Sequence, residues 1–290
     1  MPSVTAVVVS YNVKDLLREC LRSLGREGVD AVVVDNGSRD SSAEMVKTEF
    51  GAVRLVARAD NAGFAAAANE GARLARGEYI FFLNPDAEVV AGAADALASF
   101  LGANPRAAAA APRVETPAGE LERTLRDEPT AFNLAREHLP GLKRGTARFS
   151  PHDTRRRADW IVAAALMVRR EVFEKIGGFD EAFALYYEDA DLCLRLGDAG
   201  YEVWLEPAAR VAHVGGASAL PAFGSRAEVK LRYFRARNRL IRKRRGPGGL
   251  LCYRLLMSLL LGRRWIREAA RGDGEERRFQ RKALAAVWGK

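Results

Sequence analysis

The sequence predicts an α/β protein whose central sheet is mostly parallel, and three observations lead to that fold class. Short apolar runs rich in β-branched residues alternate with stretches of helical periodicity over roughly the first hundred residues. The apolar runs show no polar alternation, which is typical of strands buried on both faces. Strand–helix–strand order favours parallel pairing with right-handed crossovers.

Each element of the first part of the chain has its own signal. Helical spacing places Leu17, Cys20, Leu21 and Leu24 on one face of a helix over residues 14–24. Ser41 and Glu44 form a capping-box pattern at the start of a second helix. An alanine-rich helix over residues 62–76 is expected to be capped by Asn61. The predicted strands cover residues 4–10, 31–34, 53–57 and 79–83.

The second part of the chain is less regular. Residues 112–157 are rich in Arg, Pro and Gly, which predicts a loop with short elements. An apolar segment follows over residues 159–168, then a helix ending at Gly177-Gly178. An acidic helix starts near Glu188, and residues 202–205 predict a strand. From residue 226 onward the pattern indicates a basic helix, with a second, apolar helix after residues 246–249.

Composition narrows the classes of function. The chain has 290 residues, 48% of them hydrophobic, and a net charge of +9, which favours anionic partners. Its three cysteines are scattered without a C-x-x-C pair, which argues against a disulfide framework or a zinc site and suits the cytosol. The N-terminal apolar run lacks a basic flank and predicts a strand instead of a signal peptide. No apolar run reaches the roughly 18 residues of a membrane span.

Polar residues follow each of the four predicted strands. These clusters are Ser10-Tyr11-Asn12, Asp35-Asn36-Gly37-Ser38, Asp60-Asn61 and Asn84-Pro85-Asp86. Such residues are also common in ordinary turns. Because the carboxyl ends of parallel strands meet at one edge, where α/β proteins bind ligands, four clusters there favour a binding site.

Several of these side chains suit the transfer of a sugar from a nucleoside diphosphate. Asp86, with Glu88 nearby, can hold a divalent cation, and the imidazole of His213 can complete its shell, although a lone histidine is more often structural. Asp189 or Asp191 can accept a proton from an acceptor hydroxyl, or can simply be an acid in the first turn of a helix. Asp35 can bind a ribose or pyrimidine. No dinucleotide-binding or P-loop glycine motif is present in the sequence.

Five motifs occur in a specific order. They are Val-Val-Val-Ser-Tyr-Asn (7–12), Val-Val-Asp-Asn-Gly-Ser-x-Asp (33–40), Asn-x-Gly-Phe-x-x-x-x-Asn-x-Gly (61–71), Phe-Leu-Asn-Pro-Asp (82–86) and Tyr-x-Glu-Asp-x-Asp-Leu-Cys-Leu-Arg (186–195). Together they resemble glycosyltransferase family 2, in its bacterial rhamnosyltransferase-like branch, over about residues 3–218. The D-x-D metal motif of the family is here Asn84-Pro85-Asp86, with one carboxylate retained.

The resemblance implies a GT-A fold, with a Rossmann-like sheet and a helical C-terminal extension. It implies an inverting, metal-dependent hexosyltransferase that uses Mn²⁺ or Mg²⁺ and acts in cell-surface polysaccharide synthesis. Donor and acceptor would be a dTDP- or UDP-linked sugar and a glycan or polyprenyl-diphosphate-linked hydroxyl. Residues 1–111 would form the donor half, 112–225 the acceptor half and 226–290 a basic tail.

The resemblance also implies roles for individual residues. Asp189, beside Glu188, would be the catalytic base, Asp86 and His213 would bind the metal, and Asp159 and Trp160 would border the acceptor. The implied nucleotide-sugar contacts are Ser10, Tyr11, Asn12, Asp35, Asn36, Asn61, Gly63, Phe64, Asn69, Asn84 and Asp86.

Alternatives to this interpretation remain open in the sequence. A catalytically inactive nucleotide-sugar-binding module and a nucleotidyltransferase are the competing functions. The basic tail can bind the inner, anionic face of a membrane, can contact a partner chain or can be a solvated surface. A nucleic-acid partner is not expected, since no known nucleic-acid-binding signature is visible.

Overall fold

The computed structural model describes residues 3–138, 148, 151–215, 225–270 and 274–289. Its strands are β1 (Val4–Ser10), β2 (Asp30–Asp35), β3 (Arg54–Ala57), β4 (Tyr79–Leu83), β5 (Ala87–Val89), β6 (Ala107–Glu115), β7 (Leu125–Arg126), β8 (Arg156–Ala158), β9 (Trp160–Ile161), β10 (Ala165–Arg169) and β11 (Glu202–His213). Its helices are α1 (Lys14–Arg26), α2 (Ser42–Glu49), α3 (Phe64–Leu74), α4 (Ala93–Ala103), α5 (Ala131–His138), α6 (Arg170–Lys175), α7 (Glu188–Asp198), α8 (Arg226–Ala270) and α9 (Gly274–Val287).

The first four strands form the parallel part of the sheet, as predicted. β1 pairs in parallel with β2 on one side and β4 on the other, and β3 pairs in parallel with β2. The register sets Ser10 opposite Asp35, so the carboxyl ends of β1 and β2 lie at the same edge. The bounds of β1 and β4 agree with the sequence prediction because both strands are buried apolar runs that end at polar turns.

The later strands extend this sheet in mixed orientation. Within the described residues the strand order is β3-β2-β1-β4-β10-β6-β11-β5, with β8 also paired to β11. β11 is longer than the predicted strand over residues 202–205 and ends at His213. Its antiparallel pairing with β5 sets His213 opposite Ala87. This register places the histidine next to Asp86, although the two residues are far apart in sequence.

Hydrophobic clusters pack on both faces of the sheet. Val7 and Val9 of β1 contribute to one cluster, whereas Ala6 and Val8 contribute to the other. This division follows from the alternation of side chains along a strand. Phe82 of β4 contacts the rings of Phe173 and Phe179 at centroid distances of 5.1 and 4.9 Å.

Two predicted helix starts are wrong in detail. Ser41 takes a left-handed conformation with φ 64 and makes no capping bond, so the capping box does not form. Asp40 instead accepts a hydrogen bond from the backbone N–H of Ser42. The alanine-rich helix is shorter than residues 62–76, and its N-cap is Gly63, not Asn61. At the start of α2 the bond from the backbone N–H is accepted by Asp40, and at the start of α3 the N-cap position is occupied by Gly63.

The segment over residues 112–157 is partly regular. β6 runs on to Glu115, and β7 and α5 follow within the described residues. β7 pairs with β9 in a separate two-stranded ribbon. The remaining part of the prediction, at residues 139–147, 149 and 150, lies outside the described residues.

The tail forms a long helix, α8, with a kink where Gly246 takes φ 65 directly before Pro247. Its second half packs against α9 in a hydrophobic cluster that includes Tyr253, Met257 and Ala283. None of the helices that the structure describes has the length and hydropathy needed to cross a membrane.

Candidate active site

A cavity of about 880 Å³ opens at the carboxyl edge of the parallel strands, where the sequence predicted a ligand site. Eight of the predicted site residues line it: Tyr11, Asn36, Asn61, Gly63, Phe64, Asn84, Asp86 and His213. The loop of residues 182–186 and three arginines of α8 form other parts of the wall. Its volume is in the range of small-molecule binding sites.

Asp86 and His213 form a buried pair in this cavity. Asp86 Oδ1 lies 3.3 Å from His213 Nε2, and the two side chains are 4% and 9% exposed. On the other side of the imidazole, Nδ1 lies 3.1 Å from Glu122 Oε2. The ring is therefore held between two carboxylates. Burial lowers the pKa of His213, but the hydrogen bonds to Asp86 and Glu122 raise it more, to about 9.

This pair resembles one side of a metal site. Glu122 can fix the ring orientation through Nδ1, while Nε2 faces Asp86 Oδ1. Within the described ranges no group of three or more His, Cys, Asp or Glu side chains is arranged around one metal position. Glu88, which the sequence placed near the cation, is half exposed and lies 4.0 Å from Arg26, so it does not join the pair.

Asp189 does not line the cavity, but it is partly exposed and bonded to a segment of the cavity wall. Its Oδ2 accepts a hydrogen bond of 3.0 Å from the N–H of Ala163, next to the wall residue Val162. The same short segment is bonded to the loop that carries Asp86, because the N–H of Asn84 donates to Ala164 O at 2.9 Å. Segment 162–164 thus links the two acids.

Burial controls the proton affinity of the acidic pair. It raises the pKa of Asp189, although the N–H groups of Ala163 and Ala190 and the charge of Arg126 lower it. Burial and the charge of Asp189 raise the pKa of Glu188 well above its usual value. Glu188 therefore holds a proton more readily than Asp189. A helix N-terminus favours an ionised acid, but burial has the larger effect on the pKa of both residues.

Asp191, the other candidate base, has structural partners. Its oxygens contact Arg195 Nε at 2.7 Å and Lys243 Nζ at 2.6 Å, and its side chain is 1% exposed. The pair with Arg195 lies within α7, and the pair with Lys243 joins α7 to α8. These contacts favour a structural role for Asp191, and the role of Asp189 as base stays a prediction.

The predicted nucleotide contacts divide into wall residues and residues behind the wall. Asn36 donates from Nδ2 to Asn61 Oδ1 at 3.0 Å and to Gly63 O at 3.2 Å, which joins two strand ends. Asn12 accepts a bond from the Arg39 N–H and lies outside the cavity wall.

Ser10 and Asp35 also lie behind the cavity wall. Both are buried, and Ser10 Oγ and Asp35 Oδ2 have no hydrogen-bond partner among the described residues. Asp35 Oδ1 accepts a bond of 2.9 Å from the Ser38 N–H.

Three other predicted contacts serve the packing of the second half. Asn69 exchanges hydrogen bonds with both backbone groups of Phe179 at 2.9 Å. Trp160 donates to Asp127 O, and Asp159 accepts from the N–H of Glu128. These residues do not line the cavity. The structure therefore brings the predicted acceptor pair near the site without placing it in the wall.

Sequence reasoning missed four residues of the site. Glu122 gave no signal, because it is a single acid in a segment of weak periodicity. Arg232, Arg235 and Arg239 line the cavity, whereas the sequence left the basic helix to a membrane, a partner or solvent. Their spacing of three and then four residues was a usable signal, since it places them on one helical face.

The sheet order, the edge site and the Asp86–His213 pair define the chain as a GT-A-type glycosyltransferase fold. A mannosyltransferase from Pyrobaculum calidifontis in complex with GDP-Man and Mn²⁺ superposes with a TM-score of 0.59 at 18% identity, covering 99% of this chain and 86% of the other. GalNAc-T7 with UDP, GalNAc and Mn²⁺ gives a TM-score of 0.59 at 17% identity, covering 81% and 47%.

Residues 5–177 match the family model described as Glycosyl transferase family 2, and the chain belongs to that family. Residues 143–215 also match a model described as the N-terminal domain of galactosyltransferase. N-acetylglucosaminyl-diphospho-decaprenol L-rhamnosyltransferase of Mycobacterium tuberculosis is 29% identical over 230 residues, 71% of this chain and 74% of the relative. Pre-mycofactocin glycosyltransferase of that organism is 30% identical over 220 residues, 72% of this chain and 42% of the relative.

Proposed function

We propose that this chain is an inverting glycosyltransferase that moves a rhamnose-like or other hexose from a nucleoside diphosphate onto an acceptor hydroxyl in polysaccharide synthesis. One observation carries the proposal: the Asp86–His213 pair lines a cavity whose wall segment is hydrogen-bonded to Asp189. The acceptor is a sugar carried by a polyprenyl diphosphate, as the name of the mycobacterial rhamnosyltransferase states for that relative.

The residues present fit a divalent cation. Asp86 Oδ1 and His213 Nε2, which are 3.3 Å apart, would supply two ligands, and oxygen atoms of the donor and of water would supply the others. Such a cation, Mn²⁺ or Mg²⁺, neutralises charge on the departing diphosphate when bound. Glu122 holds the His213 ring in place. His213 must lose its proton to bind the metal, so metal affinity falls as the pH is lowered.

Asp189 takes the proton of the acceptor hydroxyl while that oxygen attacks the anomeric carbon from the side opposite the diphosphate. The new C–O bond forms as the bond to the diphosphate breaks, which inverts the configuration. Burial raises the pKa of Asp189 and so makes it a stronger base. Burial and the charge of Asp189 raise the pKa of Glu188 beside it, which favours the arrangement of one charged and one neutral acid.

Substitution of the base tests this assignment. Asp189→Asn retains an oxygen for the backbone N–H groups but cannot accept the proton, so transfer should fall by about 10²–10⁴-fold. Binding of the nucleoside diphosphate with Mn²⁺, measured by calorimetry, should stay at the wild-type value. Transfer at the normal rate would remove Asp189 from the mechanism.

The donor can be identified by thermal shift against a panel of nucleotide sugars with Mn²⁺, since only ligands of the native state raise the melting temperature. We expect dTDP-rhamnose or a UDP-sugar to stabilise most. Stabilisation without transfer to any lipid-linked acceptor would favour the inactive binding module instead.

A membrane surface is the expected source of a lipid-linked acceptor, and α8 offers a face for it. Leu251, Leu255 and Leu259 recur every fourth residue and are 50%, 52% and 68% exposed. Arg263 is exposed on the same half of the helix. Apolar side chains beside basic ones suit an anionic bilayer at the cytoplasmic face.

Sedimentation with vesicles tests this face. The wild-type protein should bind phosphatidylglycerol vesicles more than phosphatidylcholine vesicles. The double variant Leu255→Glu and Leu259→Glu should lose most of this binding, whereas Val90→Glu, at an exposed residue next to β5, should not. Equal binding by both variants would exclude the leucine face.

A further inference from the structure

Three arginines of α8 face the candidate active site. Arg232, Arg235 and Arg239 all line the cavity, together with Ala236 between them. The first and last are seven positions apart, or about 10 Å along the helix, and all three lie on one face. The small Ala236 side chain leaves space in front of the row. The cavity wall therefore carries three guanidinium groups in addition to the Asp86–His213 pair.

The other basic residues of the same helix hold the fold together. Lys243 contacts Asp191 and Asp180, both at 2.6 Å. Arg244 contacts Glu128 at 2.8 Å and Asp198 at 2.7 Å. Arg232 and Arg235 are about half exposed and contact Glu228 at 3.7 and 3.4 Å. All three arginines of the row also line the cavity.

Among the lining residues of this cavity, Asp86 is the one acidic side chain. The three arginines therefore make the site attractive to an anion. A guanidinium group matches two phosphate oxygens with two parallel N–H donors, which a lysine cannot do. The chemistry of the row fits a diphosphate.

We propose that Arg232, Arg235 and Arg239 bind the diphosphate of the lipid-linked acceptor, an inference that rests on the proposed transfer to such an acceptor. In the proposed function the charge of the donor diphosphate would be neutralised by a cation held by Asp86 and His213. The row belongs to the helix that packs on the start of α7, where Tyr187 and Tyr233 lie 4.8 Å apart between ring centroids. It is therefore attached to the half of the molecule that carries Asp189.

The continuation of α8 agrees with this assignment. The same helix carries the exposed leucines at 251, 255 and 259 beyond its kink. The arginine row and the exposed leucines therefore lie on one helix, on either side of its kink.

The first experiment compares two acceptors in the full-length enzyme. Both carry N-acetylglucosamine on a farnesyl chain, one through a diphosphate and the other through a neutral ether. In the double variant R235Q/R239Q, the preference for the diphosphate acceptor, measured as the ratio of the two kcat/KM values, should fall about tenfold or more. The KM of the donor should not rise.

Arg242→Gln is the matched control. Arg242 is an exposed residue of the same helix and carries the same charge, but it does not line the cavity. Its acceptor preference should equal that of the wild type. An equal loss in R242Q would mean general attraction of the lipid by a basic helix. A rise in donor KM in R235Q/R239Q, with acceptor preference unchanged, would mean that the row holds the donor. Either result overturns the proposal.

A binding measurement separates this proposal from the proposed function. Calorimetry with geranyl diphosphate in the absence of donor should show binding by the wild type and about tenfold weaker binding by R235Q/R239Q. Geranyl monophosphate should bind less tightly, and geraniol should not compete. Loss of diphosphate binding in the variant supports the row even if no transfer is detected. If the wild type does not bind geranyl diphosphate, the proposal that the arginine row binds a diphosphate is wrong. Transfer to the neutral acceptor would still support the proposed glycosyltransferase function.

Discussion

Asn69 offers a direct test of whether a residue of the family motif acts on substrate or on the fold. The resemblance implied a contact with the sugar–phosphate region. In the structure Nδ2 donates to Phe179 O at 2.9 Å and to Glu181 Oε1 at 3.0 Å, while Oδ1 accepts from the Phe179 N–H at 2.9 Å. The side chain therefore fastens α3 to the segment that leads into the cavity wall.

The magnitude for Asn69→Ala follows from these three hydrogen bonds. Each contributes about 1 kcal/mol, and the substitution leaves both backbone groups of Phe179 without this partner, so the free energy of unfolding should fall by about 2–3 kcal/mol. Urea unfolding monitored by circular dichroism measures the change. Glu181→Ala removes only the exposed bond and should change stability by less than about 0.5 kcal/mol.

The opposite pattern would refute this reasoning. If Asn69 contacts the donor, Asn69→Ala should leave the unfolding free energy within about 0.5 kcal/mol of the wild type and raise the KM of the donor. A structural role predicts lost stability with a donor KM near the wild-type value at a temperature where both proteins are folded.

Three further predictions follow from the geometry. Gly63 has φ +84, and an added Cβ would lie 2.6 Å from Ala184 O, so Gly63→Ala should destabilise the protein by at least about 2 kcal/mol in urea unfolding and disrupt the cavity. Because the pKa of His213 is raised from 6.5 to about 9, metal-free protein should keep this stabilisation fully below about pH 6.5 and lose it as the pH rises through 9; His213→Gln should flatten that decline in EDTA. Arg237 is buried against the rings of Tyr233, Phe234 and Tyr253, so Arg237→Ala should cost about 3 kcal/mol, and an unchanged melting curve would contradict this packing.

The sequence predicted the parts of the fold that depend on burial along a single element. β1 and β4 were placed correctly because continuous apolar runs have one stable environment, between two layers of helices. The capping box at Ser41 was wrong because Ser41 takes φ 64 and makes no capping bond, while Asp40 accepts the bond from the Ser42 N–H. The residue pattern does not specify that backbone conformation.

The site was predictable only where it lies on strand ends. Asp86 follows directly from the end of β4, and His213 joined it through the register of β11 with β5. Glu122 could not be found, because its contact with His213 spans 91 residues and leaves no periodic trace. The arginines at 232, 235 and 239 had the right spacing, but only tertiary packing decides whether a basic face meets solvent or a cavity.

The ion pair between Lys243 and Asp191 restricts how this enzyme could be recombined. Asp191 is 1% exposed and lies in the first turn of α7; one of its cations, Arg195, is on α7 itself, and the other comes from a helix more than fifty residues further along the chain. A graft that replaced the tail with one lacking a cation at this point would leave one oxygen of a buried carboxylate without its charged partner and loosen the turn that carries Asp189. Acceptor specificity and the tail should therefore be inherited together, and chimaeras should exchange residues 188 onward as one block.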